Sequence, residues 1–506
     1  MAVQAAILPS YYQDSVMLMR VASEVRGHPG VREAAAFMGT PANHEILERA
    51  GLATAETRRA HPDDLILTVE ADSDTIAAAA LAAARALLLA RRQAVEAGGV
   101  VRPRTLDAAL RLLPNANLAA ISVPGPYASF EARRALRRGL HVFLFSDNVP
   151  LAEEIQLKQE AARRGLLCMG PDCGTAYVNG SGLGFANRVP RGRIGCVAAS
   201  GTGLQAVACR VAAQGEGISQ GIGVGGRDLS AEVGGLMTIA ALDALARDPT
   251  TEAIVLISKP PDADVARRLR GALGKIDKPL VVCWLGTSPL SDSQAVWTET
   301  LDEAADAVVA RLRHQPWHSR PFREPALVTE RLKAARSRGP LGAPGVRGLY
   351  TGGTLAHEAH LVLQKLLGDT RPHRVMDLGD DAYTVGRPHP MIDPERRSAS
   401  VIEAGGSSEV GVVLMDLVLG SAGHPDPAEP LVQAVRTARV RAAAEGRCPA
   451  FVASVVGTSL DPQGLDRQVA RLREADIEVL PTNAEAARFA ALLVNPELES
   501  RLLGSV

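Results

Sequence analysis

The chain has 506 residues, of which 46% are hydrophobic and 22% charged, with a formal net charge of −1 at pH 7. This length exceeds what one hydrophobic core serves, and the near-neutral charge gives no electrostatic basis for binding nucleic acid or an anionic membrane. The six cysteines lack the paired spacing of a zinc site or a disulfide framework, so we expect no metal. No membrane span or targeting segment is predicted, and we expect a cytoplasmic protein that binds a small molecule.

Residues 1–112 are predicted to form an N-terminal α/β domain. Residues 65–69 have the length and apolarity of a strand, and an alanine-rich helix is predicted from Ser73, as its N-cap, to Glu96. We assign no chemistry to this domain.

Strand and helix patterns alternate over residues 113–190, which predicts a parallel sheet of the Rossmann type. Ligands of such sheets bind outside the carboxyl ends of the strands. The turn at that edge, residues 170–174, offers Pro171, Asp172, Cys173 and Gly174 as candidates for substrate binding. Simple turn formation by proline and glycine explains these residues equally well. Cys173 would act as a nucleophile only with a base nearby.

A strand, a tight turn and a helix are predicted over residues 194–213, at the start of a domain that spans residues 191–315. The turn consists of Ser200, Gly201, Thr202 and Gly203. Its unpaired N–H groups and hydroxyls, together with the helix dipole, favour a bound anion such as phosphate or carboxylate. A plain turn in which Ser200 caps the helix is the equally weighted alternative.

Gly225 and Gly226 end a short strand and precede Asp228 and a helical segment. They predict a second helix N-terminus at the same rim, where two helix dipoles would act on one charged group. A glycine turn without a ligand is the alternative.

Residues 316–345 contain prolines and glycines around a short basic helix and are predicted to be an interdomain linker. After it, the pattern of the preceding domain repeats over residues 346–506, in the same order and at similar spacing. The counterpart of the Ser200 turn consists of Gly352, Gly353 and Thr354. This order indicates an internal duplication, which predicts two α/β units facing one another, each with an anion-binding turn.

The second unit contains three further candidates. Asp380 and Asp381 follow a strand and would bind a cation or a substrate amide, although helix capping explains them equally well. His424 lies in a glycine-containing turn after a strand and is a catalytic candidate beside Ser200 and Thr202, with an ordinary loop histidine as the alternative. His357 and His360 have a spacing compatible with metal binding, but a solvated helix face is favoured.

Four segments resemble the α subunit of succinyl-CoA ligases, in the same order along the chain: residues 170–174, 200–202, 223–226 and 248–255. With the second half and the N-terminal segments at residues 14–15 and 38–40, the whole chain resembles the FdrA family. The resemblance implies a multidomain α/β fold with Rossmann-like and flavodoxin-like parallel sheets. It also implies that Ser200, Gly201, Thr202, Gly225 and Gly226 surround a phosphate.

The chain departs from the ligase pattern in ways that affect the expected chemistry. The phosphorylated histidine of the ligases lies in a Gly-His-Ala-Gly turn, whereas residues 286–289 of this chain are Gly-Thr-Ser-Pro. Neither an ATP-grasp domain nor the glycine-rich CoA turn before Asn117 is evident. We therefore expect phosphate to react without a covalent phosphoenzyme.

The FdrA resemblance implies a subunit of oxamate carbamoyltransferase, which converts oxalurate and phosphate to oxamate and carbamoyl phosphate in allantoin breakdown. We therefore expect an oligomeric carbamoyltransferase subunit that works with two companion proteins and uses phosphate or carbamoyl phosphate as substrate. One alternative is an acyl-CoA ligase that uses CoA and an ATP-grasp partner. The other is a non-catalytic subunit that binds acyl phosphates.

Overall fold

Four β-sheets are found in the residues that the computed structural model describes, which are 2–13, 15–97, 103–287, 295–368, 372–384 and 388–504. The first sheet is antiparallel, and the other three consist wholly or mostly of parallel strands with helices between them. This architecture confirms the predicted multidomain α/β fold. No helix of the described ranges is long and apolar enough to cross a lipid bilayer.

The N-terminal unit packs its helices on a three-stranded sheet. Its elements are β1 (Ala2–Leu8), α1 (Ser15–Arg26), β2 (Val31–Met38), α2 (Pro41–Arg49), β3 (Leu65–Ala71) and α3 (Asp74–Ala97). The central strand β3 pairs antiparallel with β1 and β2, and its buried residues pack against α1 and α3. The predicted helix cap is present, because Ser73 Oγ accepts a hydrogen bond from the N–H of Ile76 at 3.3 Å.

The second unit is a small parallel sheet in the order β4-β5-β6. Its elements are α4 (Leu106–Leu112), β4 (Leu118–Ile121), α5 (Gly125–Arg137), β5 (His141–Leu144), α6 (Leu151–Arg163) and β6 (Cys168–Met169). Helix α4 was assigned to the first domain by the predicted boundary at residue 112. It packs instead against the core of this second unit through Leu106 and Leu110.

The third unit is a seven-stranded sheet. Its elements are β7 (Thr175–Val178), β8 (Ser181–Gly184), β9 (Arg191–Ala198), α7 (Gly201–Ala213), β10 (Ile218–Gly223), α8 (Leu236–Arg247), β11 (Ala253–Ser258), α9 (Ala263–Leu273), β12 (Leu280–Trp284), β13 (Ala295–Thr298) and α10 (Leu301–Leu312). Strands β9 to β13 are parallel, and the hairpin β7–β8 extends the edge beside β10. The sheet therefore begins at Thr175, ahead of the predicted boundary at residue 191.

The last unit has a five-stranded parallel sheet. After α11 (Pro325–Ser337), its elements are β14 (Gly345–Tyr350), α12 (Gly353–Leu367), β15 (Arg374–Asp377), α13 (Asp381–Thr384), α14 (Glu395–Gly406), β16 (Val410–Val418), α15 (Ala428–Ala443), β17 (Ala450–Val456), α16 (Leu465–Glu474), β18 (Glu478–Leu480), α17 (Asn483–Val494) and α18 (Glu499–Leu502). Helix α11 is the short helix of the predicted linker. It buries Val328, Leu332 and Ala335, so this connection is packed.

The last two units have the same topology. Strand order β13-β12-β11-β9-β10 in one corresponds to β18-β17-β16-β14-β15 in the other, which is the flavodoxin-like order in both. This agreement supports the predicted internal duplication. One hydrophobic core includes residues of both units, such as Val207 of α7 and Leu355 of α12, so the two halves pack as one body.

Buried carboxylates lie where the halves join. Glu358 on α12 accepts hydrogen bonds from the N–H of Leu301 at 2.7 Å and from Nδ2 of Asn483 at 2.8 Å. Asp302 accepts a hydrogen bond from Thr482 Oγ1 at 2.9 Å across the same contact. Burial and the nearby charge of Asp302 raise the pKa of Glu358 to about 7. The halves are therefore joined by a group that titrates near neutrality.

We predict that the Glu358→Gln variant loses less stability than the native chain as the pH rises. Because the folded pKa of Glu358 lies above its ordinary value of 4.5, the folded state binds this proton more tightly. Its contribution is fully present below about pH 4.5 and is lost as the pH rises through 7, on the order of 1–3 kcal/mol. Urea unfolding at pH 5 and pH 7.5 measures the difference.

The matched control for that prediction is Glu330→Gln, which changes an exposed glutamate on α11. It should follow the native chain at both pH values. Burial also raises the pKa of Glu485 to about 7. Glu485 therefore adds to the pH dependence of unfolding equally in the native chain and in both variants. Equal pH dependence in the native chain and in Glu358→Gln would contradict the assignment.

Candidate functional site

The N-termini of α7 and α12 meet where the two duplicated halves join. Ser200 Oγ and Thr354 Oγ1 are 2.5 Å apart. A Cβ on Gly352 would lie 2.9 Å from Cγ2 and 3.0 Å from Oγ1 of Thr202. Each helix follows the strand at which the strand order of its sheet reverses, which is where ligands of such sheets bind. The structure thus brings together the two turns that the sequence singles out.

Two like ends of helix dipoles face one another at this contact. Each N-terminus has N–H groups without intrahelical partners and an effective charge of roughly half a positive charge. On α7, Ser200 Oγ accepts the N–H of Gly203 at 2.9 Å, as predicted for an N-cap. The two ends would repel one another in the absence of negative charge, and an anion between them would be bound favourably.

Asp416 occupies the N–H groups that precede α12. Its carboxylate accepts the N–H of Thr351 at 2.9 Å and the N–H of Gly352 at 2.8 Å. Its other neighbour is the buried Arg397, whose Nη2 lies 3.2 Å from Asp416 Oδ1. The N–H groups of α12 itself, from Gly353 onward, are therefore the ones left for a ligand.

A second carboxylate, that of Asp377, lies beside the first residue of α12. A Cβ on Gly353 would collide with Asp377 Oδ2, and Oδ1 of Asp377 accepts the N–H of Gly379 at 2.9 Å. Burial raises the pKa of Asp377 to about 6, and the charges of Asp416 and Asp380 act in the same direction. The site therefore contains an acid that titrates close to neutrality.

His389 approaches Asp377 from the loop that precedes α14. The Cβ position of Gly379 lies 2.5 Å from His389 Nε2 and 3.2 Å from Asp377 Oδ1. On the other side of the ring, Nδ1 accepts the N–H of Met391 at 3.2 Å. The imidazole also packs on Phe185 of the third unit, with ring centroids 5.9 Å apart, and burial lowers its pKa to about 4. His389 is thus a neutral imidazole that contacts both halves.

Lys259 supplies a positive charge on the same side. It follows β11, is exposed, and lowers the pKa of both Asp377 and His357. The site therefore combines two helix N-termini and a lysine with one titratable carboxylate. This combination is suited to binding an anion and to exchanging a proton with it.

The predicted helix start at Gly225 and Gly226 is wrong. Helix α8 begins ten residues later, at Leu236, and its N-terminus is already occupied. Asp228 accepts the N–H of Thr238 at 2.9 Å, while Lys158 lies 2.9 Å from the Asp228 carboxylate in a fully buried ion pair. The two converging dipoles are therefore those of α7 and α12, because a carboxylate of the chain itself fills the third position.

The turn at residues 170–174 packs beneath the site. Gly174 lies next to Gly201, whose Cβ position is 3.7 Å from Gly174 Cα, and a Cβ on Gly225 would lie 2.5 Å from Pro171 O. The thiol of Cys173 donates toward Gly223 O at 3.3 Å, and burial raises its pKa to about 12. Cys173 is therefore a structural thiol and no nucleophile, and binding by Pro171, Asp172 and Gly174 stays a prediction.

The remaining candidates of the second half have mostly structural contacts. Asp380 is exposed and accepts the N–H of Ala382 at 2.9 Å, as a helix cap does, and the side chain of Asp381 lies outside the described residues. His424 Nδ1 accepts the backbone N–H of Asp426 at 3.1 Å, and the backbone N–H of His424 donates to Met391 O. His424 thus supports the loop that bears His389, and its catalytic role stays a prediction.

The two histidines of α12 differ in environment. Nε2 of His357 is buried and has no hydrogen-bond partner among the described residues, whereas His360 is exposed. Within the described ranges, no group of three or more His, Cys, Asp or Glu residues could hold a metal ion. Of the ligase-like turn after β12, only Gly286 and Thr287 lie inside those ranges.

Sequence reasoning missed Asp377, His389, Asp416 and Lys259. The duplication itself contained a signal for Asp377. Asp377 pairs with Tyr350, two residues before the α12 turn, and Gly223 pairs with Ala198, two residues before the α7 turn. A carboxylate thus replaces glycine at equivalent strand ends. No local motif distinguishes His389, which is brought to the site by a loop.

Comparisons with known proteins give a consistent result. A CoA-ligase family model matches residues 349–493, and a model described as AllF, heavy metal-associated domain, matches residues 1–103. The uncharacterized protein YahF of Escherichia coli K12 is 38% identical over 512 residues, which cover 97% of this chain and 98% of YahF.

Other similarities cover less of the chain or are weaker. The α subunit of the ADP-forming succinate–CoA ligase from Methanothermobacter thermautotrophicus is 28% identical over 169 residues, 32% of this chain and 55% of that subunit. The solved dinucleotide forming acetyl-coenzyme A synthetase 1 of Ca. Korarchaeum cryptofilum, in complex with phosphate and ADP, has a TM-score of 0.31 at 15% identity, over 77% of this chain and 85% of that chain.

Two features bear on the ligands that these names suggest. Residues 1–103 contain no cysteine, although soft heavy metals favour thiolate ligands. At the β4–α5 turn, the Cβ position of Gly125 is filled by the backbone oxygens of Asp147 and Asn148, so this glycine packs against the chain itself. No reaction step is assigned to a metal.

At 38% identity over almost the whole of both chains, this protein belongs to the same family as Escherichia coli YahF, an FdrA-like family that contains a CoA-ligase domain and is similar to the α subunit of succinyl-CoA ligase.

Proposed function

We propose that this protein binds phosphate, or the phosphate group of an acyl phosphate, between the N-termini of α7 and α12, and that it transfers an acyl group to or from that phosphate. The observation that carries the proposal is the 2.5 Å contact between Ser200 Oγ and Thr354 Oγ1. It means that the two helix ends share one small volume, in which a single tetrahedral anion can accept hydrogen bonds from both halves.

The site favours direct transfer of the acyl group. Phosphate held by the two helix ends attacks the carbonyl carbon of the acyl donor, and negative charge then develops on the carbonyl oxygen. Fixed N–H groups and the charge of Lys259 stabilise such an oxyanion without reorganisation. Residues 286–289 lack the histidine of the ligase turn, which favours a transfer without a phosphohistidine. Departure of the leaving group yields the acyl phosphate.

The chemical class of the acyl donor separates two candidate reactions. A CoA-ligase-type enzyme would exchange CoA and phosphate on the acyl group, with a nucleotide on a companion protein accepting or supplying the phosphoryl group, and the CoA-ligase match over residues 349–493 favours this class. A carbamoyltransferase would use oxalurate and release oxamate and carbamoyl phosphate. The missing relay histidine favours this second candidate, because it requires no stored phosphate.

The two reactions are distinguished by incubating the full chain with the proteins encoded beside it. Oxalurate and phosphate without nucleotide should give carbamoyl phosphate only if the protein is a carbamoyltransferase subunit. Phosphate release from ATP that depends on CoA and a carboxylic acid would support the ligase class. Phosphate binding with neither reaction would contradict acyl transfer and leave a non-catalytic subunit that binds acyl phosphates.

We predict that Gly352→Ala weakens phosphate binding by about tenfold. The new Cβ would lie within 3.0 Å of the Thr202 side chain, so the two helix ends must separate by a few tenths of an ångström. Backbone strain is not added, because Gly352 has an extended conformation with φ −107°. Calorimetric titration with inorganic phosphate measures the change, and Gly271→Ala on α9, with no heavy atom within 4 Å, is the control.

We also predict that Thr354→Val reduces phosphate affinity about 5- to 20-fold. Valine keeps the buried volume but removes the hydroxyl that pairs with Ser200, so the site loses one polar group, and Ser200 Oγ keeps the N–H of Gly203 as a partner. The control is Thr437→Val on the exposed face of α15, where Thr437 Oγ1 only donates to Gln433 O at 3.0 Å. Unchanged phosphate affinity in Thr354→Val would contradict a shared site.

A further inference from the structure

We propose that Asp377 exchanges a proton with the anion bound at the α12 N-terminus, and that His389 is a positioning residue. The neutral His389 ring orients Asp377 by donating a hydrogen bond to it. This inference rests on the anion site proposed above. It adds to that site a catalytic acid and an explanation for the histidine that the sequence did not single out.

The first argument is the position of the Asp377 carboxylate between α12 and His389. Oδ2 occupies the space that a Cβ on Gly353 would fill, so this oxygen lies at the first residue of α12. Oδ1 lies on the other side, 2.9 Å from the N–H of Gly379. An anion bound to the first N–H groups of α12 must therefore contact this carboxyl group or displace it.

The second argument concerns the hydrogen of the His389 ring. Nδ1 accepts the backbone N–H of Met391, and it can do so only when it is unprotonated. In the neutral ring the hydrogen is then on Nε2. The Cβ position of Gly379 lies 2.5 Å from Nε2 and 3.2 Å from Asp377 Oδ1, and Asp377 Oδ1 is the acceptor that we propose for this hydrogen. Nε2 so protonated has no lone pair to attack phosphorus, so His389 donates a hydrogen bond and does not replace the missing phosphohistidine.

The third argument is the balance of charges around Asp377. Asp416 on β16 and Asp380 on the same turn favour its protonated form, whereas the exposed Lys259 after β11 opposes them. Arg397 is engaged on the far side of Asp416, and burial keeps His389 neutral. A bound dianion adds negative charge and so raises the fraction of Asp377 that is protonated.

The proton transfer that follows is simple. The O–H bond of the Asp377 carboxyl group breaks, its proton passes to an oxygen of the bound phosphate, and the carboxylate remains. The reverse transfer occurs when phosphate becomes a nucleophile, since Asp377 then removes a proton from it. At the equivalent strand position of the other half, Gly223 replaces the aspartate and β7 lies against it.

The test uses sulfate, which remains a dianion between pH 5 and pH 8, so that only protein groups titrate. We expect the sulfate affinity of the full native chain to fall by up to about tenfold per pH unit above pH 6, as one proton is lost from the site. Asp377→Asn should bind sulfate with little dependence on pH. Glu403→Gln, which changes an exposed carboxylate on α14, should follow the native chain.

His389 is tested by rescue and by spectroscopy. Loss of the proposed Nε2–H donor in His389→Ala should raise the midpoint of the pH dependence, since the Asp377 carboxylate would lose the hydrogen bond that we propose, and His389→Gln should restore it. Nitrogen-15 spectra of histidine-labelled protein should show His389 as the neutral Nε2–H tautomer at pH 7. An unchanged midpoint in His389→Ala, or the Nδ1–H tautomer, would overturn its role.

The outcomes for the two proposals can be told apart. Sulfate binding with the same pH dependence in the native chain and in Asp377→Asn would refute the proton exchange and leave the anion site intact. No sulfate binding in any variant, Asp377→Asn included, would refute the anion site and this inference with it.

Discussion

The structure depends on holding two helix N-termini against one another. Their like partial charges oppose this contact, so other interactions between the halves must compensate. A shared hydrophobic core does so, together with buried hydrogen bonds such as Asn187 Nδ2 to Asp461 Oδ2 at 2.8 Å and Gln205 Nε2 to Leu419 O at 3.3 Å. An anion between α7 and α12 would remove the remaining repulsion. The contact of the two helix N-termini is unfavourable in the free protein and favourable when the anion is bound.

Duplication provides a nearly symmetric scaffold, but the chemistry of the two halves is different. Both halves place a helix start after the first strand of an identically ordered sheet. Only the second half adds carboxylates there, because Asp377 occupies the strand-end position that is Gly223 in the first half. In the first half, a side chain at Gly223 would collide with Thr175 and Cys173. One half therefore contributes mainly helix dipole and hydroxyl groups, and the other contributes the acid.

The sequence was sufficient to predict the α/β fold, the duplication and the two strand–turn–helix segments that meet where the halves join, because such patterns are local; anion binding by these turns stays a prediction. It was insufficient for Gly225 and Gly226, since only the folded chain shows that Asp228 occupies the start of α8. His389 was missed for a related reason. Its environment depends on Gly379, Met391 and Phe185, which are distant from one another in sequence or lack any motif.

Arg26 connects the N-terminal unit to the loop that bears His389. Arg26 of α1 lies 2.7 Å from Asp393 Oδ2 and is held from its own unit by Glu33 at 2.8 Å. The N–H of Asp393 in turn donates to His389 O at 3.1 Å. Both partners of the Arg26–Asp393 pair are largely buried, so their attraction is screened less than in an exposed ion pair, and removing one partner would leave the other charge buried without its partner. The unit that contains no candidate chemistry of its own thereby restrains the loop on which the orientation of His389 depends.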